Sequence, residues 1–249
     1  MASADVGAPR APHPLAGRTA LVTGASRGIG AAIARRLASA SARVVLVARG
    51  AEALDALVAS LPGEAIALPT DVRQADAGDR VAAALVERGI PAPDIVLNNA
   101  GAFFIAQAHE TAVEDFRAML DLNLTAPFLF ARAFLPAMRE RGTGHVLSIG
   151  SIADRSAFAG NAAYAASKYG LRALHEVLRA ELRGTGVRAT LVSPGPVDTE
   201  LWDPIDPDRQ PGFTPRASML SPLDVADAVL YALSAPADVN VDELRLSHS

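Results

Sequence analysis

A doubly wound α/β domain is the fold this sequence predicts: one parallel sheet of about seven strands with helices on both faces. Three observations predict it. Short β-branched runs alternate with longer helical stretches along the chain. The strand-like runs are apolar at successive positions, as strands covered on both faces are. The length of 249 residues suits one α/β domain with a large core.

The elements follow in order. Residues 18–23 read as a strand and 28–41 as a helix with apolar residues at helical spacing. A second strand at 43–48 (Arg-Val-Val-Leu-Val-Ala) precedes a helix at 51–61, and a third at 65–69 precedes a helix at 75–88. Residues 94–98 form a fourth strand. A long helical region at 113–141 follows, with Pro127 and Pro136 as candidate kinks. A strand at 145–150, a helix at 162–183 and a strand at 187–193 come next, and a helix at 222–235 and a short strand at 243–246 close the chain. This is a Rossmann-type pattern, whose ligands bind at the carboxyl ends of the strands. The long irregular piece, 194–221, holds six prolines with Trp202 and Phe213, and a stretch that long inside a domain is expected to act as a substrate lid. Residues 1–16, rich in Ala and Pro, are expected to be a disordered tail, leaving 17–249 as one dinucleotide-binding and catalytic domain.

Composition excludes several function classes. A net charge of -4 without a long basic run argues against nucleic acid as a partner. The chain has no cysteine, so disulfides, thiolate catalysis and cysteine–metal sites are out, and its histidines lack metal-ligand spacing, so no metal site is expected. No run approaches eighteen apolar residues, so no membrane span is expected and a cytoplasmic location is.

The chemistry is carried by three motifs. Thr23-Gly24-Ala25-Ser26-Arg27-Gly28-Ile29-Gly30 sits between the first strand and first helix, where glycines admit a pyrophosphate to the backbone and a helix start offers N–H groups. In Tyr164-Ala165-Ala166-Ser167-Lys168 the first and last residues share a helix face. An ammonium beside a phenol favours phenolate, lowering a pKa that starts near 10, so Tyr164 can exchange a proton with an alcohol or carbonyl oxygen. Ser151 stands thirteen residues before Tyr164. The second strand ends Val47-Ala48-Arg49, with no acid for a ribose hydroxyl. Arg49 and Arg27 instead suit a 2′-phosphate, which favours NADP(H).

Together these motifs resemble the short-chain dehydrogenase/reductase family. So do Asn-Asn-Ala-Gly at 98–101, Asn123, and Pro194-Gly195 followed by Thr199, and the match runs over residues 17–234. The resemblance implies that Tyr164 is the general acid or base and that Lys168 lowers its pKa and binds the nicotinamide ribose. Ser151 would hold the substrate oxygen, and Asn123 would order a water in a proton relay. It implies cofactor contacts from Gly24, Ser26, Arg27, Ile29 and Arg49, and from Asp71 and Val72 at the adenine. Asn98, Ala100 and Gly101 would follow the fourth strand, and Pro194, Gly195, Val197 and Thr199 would meet the nicotinamide end. It further implies a homodimer or homotetramer paired through the helices at 113–141 and 162–183, whose Phe128, Phe134, Leu171, Leu174 and Leu178 are expected to exceed what one sheet covers. The ending at 237–246 lacks the family's usual glycine-rich approach to the last strand.

The substrate is expected to be a small carbonyl or alcohol. A 3-oxoacyl thioester or general ketone reductase, and a 3-hydroxy acid or small-alcohol dehydrogenase, both fit. Arg155, Arg209 and Arg216 are candidates to pair with an anionic substrate. A nucleotide-binding regulator without chemistry is a further alternative, opposed by the joint presence of Asn123, Ser151, Tyr164 and Lys168.

Overall fold

Each aliphatic run becomes a strand because helices on either side can cover both of its faces. The computed structural model describes residues 14–249. In chain order the elements are β1 (Thr19–Thr23), α1 (Gly28–Ser39), β2 (Arg43–Ala48), α2 (Ala51–Ser60), β3 (Ala65–Pro69), α3 (Ala77–Val86) and β4 (Ile95–Asn98). They continue with α4 (Val113–Leu120), a π-helical turn (Asp121–Thr125), α5 (Ala126–Arg141), β5 (Gly144–Ile149), α6 (Ala162–Glu181), β6 (Val187–Pro194), α7 (Pro222–Leu233) and β7 (Glu243–Leu246). All pairings are parallel, in the order β3-β2-β1-β4-β5-β6-β7. Leu21 of β1 stands opposite Val45 of β2 on one side and Val96 of β4 on the other. The order reverses there, and a crevice opens at the strand ends.

Successive strand residues feed opposite cores. Ala20, Val22, Val44 and Leu46 pack with Ile33 and Leu37 of α1 and Val225 and Val229 of α7. Leu21, Val45, Val47 and Val96 pack on the other face with Val81 and Leu85 of α3 and Phe130, Phe134 and Met138 of α5. Two cores from one sheet follow from the period-2 alternation of strand side chains.

Element ends move by one to two residues from the predicted ones. α1 stops at Ser39 because Ser41 takes a left-handed φ of 68°. The long helix keeps its predicted extent, but the expected proline kink takes the form of the π-helical turn just before Pro127. Of the expected tail, residues 1–13 lie outside the described residues. Leu15 corrects the rest of that expectation: it is fully buried and its N–H donates to Ala40 O at 3.2 Å.

A second correction concerns the apolar helix faces. Phe134, Leu171 and Leu178 are buried within the single chain, whereas Phe128, Tyr169 and Val177 remain exposed on α5 and α6. The continuous helix Val113–Arg141 is long and apolar enough to cross a membrane by length and composition. Here its apolar stripe, including Phe130, Phe134 and Met138, is spent on the sheet.

Candidate active site

The glycine turn is tight for steric reasons. Gly24 and Gly28 take φ of 65° and 53°, a region that favours glycine. A Cβ on Gly30 would lie 2.2 Å from Gly24 O, so only glycine lets α1 begin this close to β1. The N-cap of α1, Arg27, makes no side-chain cap, which leaves the first N–H groups of the helix facing the crevice without a side-chain acceptor. Asn99 braces the turn, its Nδ2 donating to Thr23 O at 2.9 Å and Gly24 O at 3.2 Å.

The crevice is a cavity of about 940 Å³. Gly24, Ser26, Arg27, Ile29, Arg49, Asp71, Val72, Ala100 and Gly101 line it, and so do Ser151, Tyr164, Lys168, Pro194, Gly195, Val197 and Thr199. Two predicted residues do not. Asn98 is buried at the end of β4, and its neighbour Asn99 reaches the cavity instead, because adjacent strand residues point to opposite faces. Asn123, on the π-helical turn, lies behind the cavity wall with both ends of its amide engaged. Its Oδ1 accepts from Ala102 N at 2.9 Å, and its Nδ2 donates to Ala102 O at 3.0 Å and to Ser167 Oγ at 3.0 Å. It ties the loop after β4 to α6.

At the floor of the cavity, Ser151 Oγ accepts from Ala153 N at 3.1 Å. Lys168 Nζ donates to Ile149 O at 2.9 Å and stands 5.7 Å from the centre of the Tyr164 ring. The expected lowering of the Tyr164 pKa is not what this geometry gives. Burial pushes the phenol up to about 12, against a lowering pull from the Ser151 hydroxyl, and the Asp154 carboxylate pushes it further up. Burial also takes Lys168 down to about 8, although Asp154 favours its charge. Desolvation dominates both shifts because both groups leave water. Asp154 is fully buried behind them, hydrogen-bonded by Ser193 Oγ and paired with Arg155 at 2.7 Å.

Among the described residues, Arg27 and Arg49 make no ion pair or hydrogen bond through their side chains, and both line the cavity near the end of β2. Arg73, which sequence reasoning missed, also lines it. It clamps Asp71 at 2.6 Å and, with burial opposing, holds that carboxyl down at about 2. Unpaired cations beside an uncapped helix start fit a dinucleotide carrying an extra phosphate. Among the described residues, no group of three or more His, Asp or Glu is placed to hold a metal ion.

The family model described as short chain dehydrogenase matches residues 18–210. The chain belongs to that family. An oxidoreductase of Staphylococcus aureus strain USA300 is 35% identical over 234 residues, covering 93% of this chain and 97% of the relative. A metagenomic short-chain oxidoreductase solved in complex with NADP is 36% identical with a TM-score of 0.79, covering 95% of this chain and all of that one. The closed form of serine dehydrogenase complexed with NADP+ is 35% identical with a TM-score of 0.84, covering 91% of this chain and 93% of that one. This short-chain dehydrogenase is therefore an oxidoreductase that acts on small molecules with a nicotinamide dinucleotide.

The aromatic part of the cavity is what sequence reasoning left out. Phe103 and Phe104 follow β4, and Phe158 lies in the loop after β5. None belongs to a periodic pattern. The one available signal was their nearness in sequence to Asn-Asn-Ala-Gly and to Ser151.

Proposed function

We propose that this chain is an NADP(H)-dependent oxidoreductase that interconverts a carbonyl and a secondary alcohol. The observation that carries the reading is that Ser151, Tyr164 and Lys168 meet on the floor of the same cavity that holds the uncapped glycine turn and the unpaired Arg27 and Arg49. Bound NADP(H) supplies the hydride. In this reading Arg49 and Arg27 bind the 2′-phosphate, and the α1 N–H groups bind the pyrophosphate. Ser151 and Tyr164 donate hydrogen bonds to the substrate oxygen, where negative charge grows as a carbonyl is reduced.

A phenol held at about 12 keeps its proton at neutral pH, so Tyr164 serves as the acid in reduction and gives that proton to the nascent alkoxide. Lys168, protonated below about 8, stabilises the phenolate left behind. Asn123 keeps the loop after β4 in place. Segment 194–221, which brings Leu201 and Trp202 to the cavity, acts as the lid. A cytoplasmic enzyme fits the cysteine-free chain.

Pairing of subunits through α5 and α6 is part of the same reading, supported by the exposed Phe128, Tyr169 and Val177. Light scattering at micromolar concentration is expected to give a multiple of 25.8 kDa, and a monomer mass with full activity refutes the pairing. A second reading, oxidation of a hydroxy acid, is favoured by the likeness to serine dehydrogenase.

The test of the main reading is Tyr164→Phe. Turnover is expected to fall by roughly 10²–10⁴-fold, the usual share of a general acid, while NADPH binding followed by fluorescence stays near that of the parent. A variant with parental kcat sinks the assignment. A parent protein that binds NADPH yet reduces no carbonyl supports the silent regulator instead.

A further inference from the structure

The substrate end of the cavity has a chemistry of its own, formed by three separate loops. Phe103, from the loop after β4, meets the Tyr164 ring edge-on at 4.8 Å between centroids and the Trp202 indole at 5.1 Å. Trp202 in turn meets Phe213 at 6.2 Å. A continuous file of four rings thus runs from the phenol that faces the reacting oxygen out into segment 194–221. These separations and tilts are those of favourable edge-to-face pairs. The one polar atom of the indole is already used, Trp202 Nε1 donating to Val197 O at 3.1 Å, so the residue offers only ring surface. Across the mouth, Phe158 and Ile152 line the cavity while 47% and 48% exposed. Large apolar side chains left open beside a cleft are a mark of an apolar ligand.

Charge points the same way. Among the described residues, the cations lining the cavity, Lys168 aside, are Arg27, Arg49 and Arg73, which sit on the glycine turn, at the end of β2 and just after β3. The arginines expected to meet an anionic substrate are committed elsewhere. Arg155 is paired with Asp154 at 2.7 Å and with Glu243 at 2.6 Å, Arg216 with Asp198 at 2.7 Å and also with Asp203, and Arg209 faces solvent beside Asp206. None of the three lines the cavity. A carboxylate or thioester phosphate bound among the rings would lose its water and gain no cation, a large cost. An uncharged ring or branched hydrocarbon group would lose little and gain stacking.

We infer that the substrate is an uncharged ketone, or its alcohol, bearing an aromatic or bulky apolar substituent that lies along the Phe103–Trp202 file while its oxygen meets Ser151 and Tyr164. Hydroxy acids and acyl thioesters are then poor substrates. The inference rests on the carbonyl-reductase reading and narrows it.

Trp202 is the single tryptophan of the chain, so its emission reports occupancy of this file without any turnover. The experiment titrates the NADP+ complex with an acetophenone-class ketone, and separately with serine, gluconate and 3-hydroxybutyrate, following that emission. In parallel, NADPH consumption is measured with the aryl ketone, acetoacetate, an acetoacetyl thioester and 2,3-butanedione. The expected result is saturable quenching by the aryl ketone alone, and a kcat/KM for it about a hundredfold above those of the charged substrates. Phe158→Ala is expected to raise its KM roughly tenfold without changing the affinity for NADPH. Charged substrates that match or exceed the aryl ketone in kcat/KM overturn the inference and leave the carbonyl-reductase reading standing. No NADPH consumption with any carbonyl, diketone included, overturns that reading and the inference with it.

Discussion

Lys168 occupies an expensive position, only 6% exposed, with one hydrogen bond to Ile149 O and no carboxylate in contact. Its pKa falls to about 8 from an ordinary 10.5, burial outweighing the pull of Asp154. The sign of the consequence follows from proton counting. Between pH 8 and 10.5 the unfolded chain holds the lysine proton more often than the folded one, so this site's contribution to stability improves as pH rises through that window. Below pH 8 the full penalty is present. Lys168→Met is therefore expected to raise the thermal midpoint at pH 7, by an amount worth roughly 1–3 kcal/mol, while turnover collapses. Thermal scans at pH 7 and pH 10 check it: the advantage should shrink at the higher pH, and a variant less stable than the parent at pH 7 contradicts the account. The pairing of Tyr164 with Lys168 was legible in the sequence from a four-residue spacing. The direction of their titrations was not, because desolvation depends on what Ile149, Ser151 and Asp154 place around them.

Elements differ in how openly the sequence announces them. The turn between β1 and α1 is legible because Gly24, Gly28 and Gly30 are required by backbone geometry, and such requirements leave a fixed spacing. The π-helical turn at Asp121–Thr125 leaves no such trace. It arises ahead of Pro127, and it aims Asn123 at the Ala102 backbone rather than into the cavity. The aromatic file was equally hidden, since Phe103 and Trp202 come from loops far apart in sequence and meet only once the sheet gathers its strand ends on one side. The end of β2 lies between these cases: the absence of an acid after Ala48 could be read directly, and the structure adds that Arg49 is exposed and unpaired among the described residues. Arg49→Asp is accordingly expected to invert the cofactor preference. Loss of a charge-assisted contact of about 1.5–3 kcal/mol weakens NADPH binding roughly tenfold or more, and the new carboxylate accepts from a ribose hydroxyl. Paired Kd measurements for NADPH and NADH on parent and variant decide the matter. A parent that already prefers NADH removes the basis of the assignment.

At the scale of the whole molecule, the two cores share one sheet, and two buried histidines stand out, one on that sheet and one on α6. His145 on β5 is fully buried, its Nε2 2.8 Å from Thr190 Oγ1 of β6, and His175 on α6 is 2% exposed. Burial holds His145 well below the ordinary range, with Arg188, Arg18 and His175 adding to the effect. His175 is brought down to about 4, first by burial and then by Arg179, against the raising influence of Asp242 and Glu176. Both are therefore neutral in the folded protein at pH 7. For His175, as pH falls from 6.5 toward 4, the unfolded chain takes up a proton that the folded chain refuses, so this site's contribution to stability drops across that window and levels off below it. For His175 the drop amounts to about 2 kcal/mol at pH 5. A chain of this size converts that into a shift of roughly 4–8 °C in thermal midpoint. His175→Leu, which keeps the site apolar, should therefore lose less of its midpoint than the parent between pH 7.5 and pH 5, by about that margin. The two proteins should converge in behaviour above pH 7.5, where neither histidine binds a proton in either state. Equal acid losses in parent and variant would mean that His175 finds a proton-accepting contact or a water path in the folded protein, and the acid sensitivity would then have to come from His145 alone, for which a His145→Gln variant retaining the bond to Thr190 is the direct measurement.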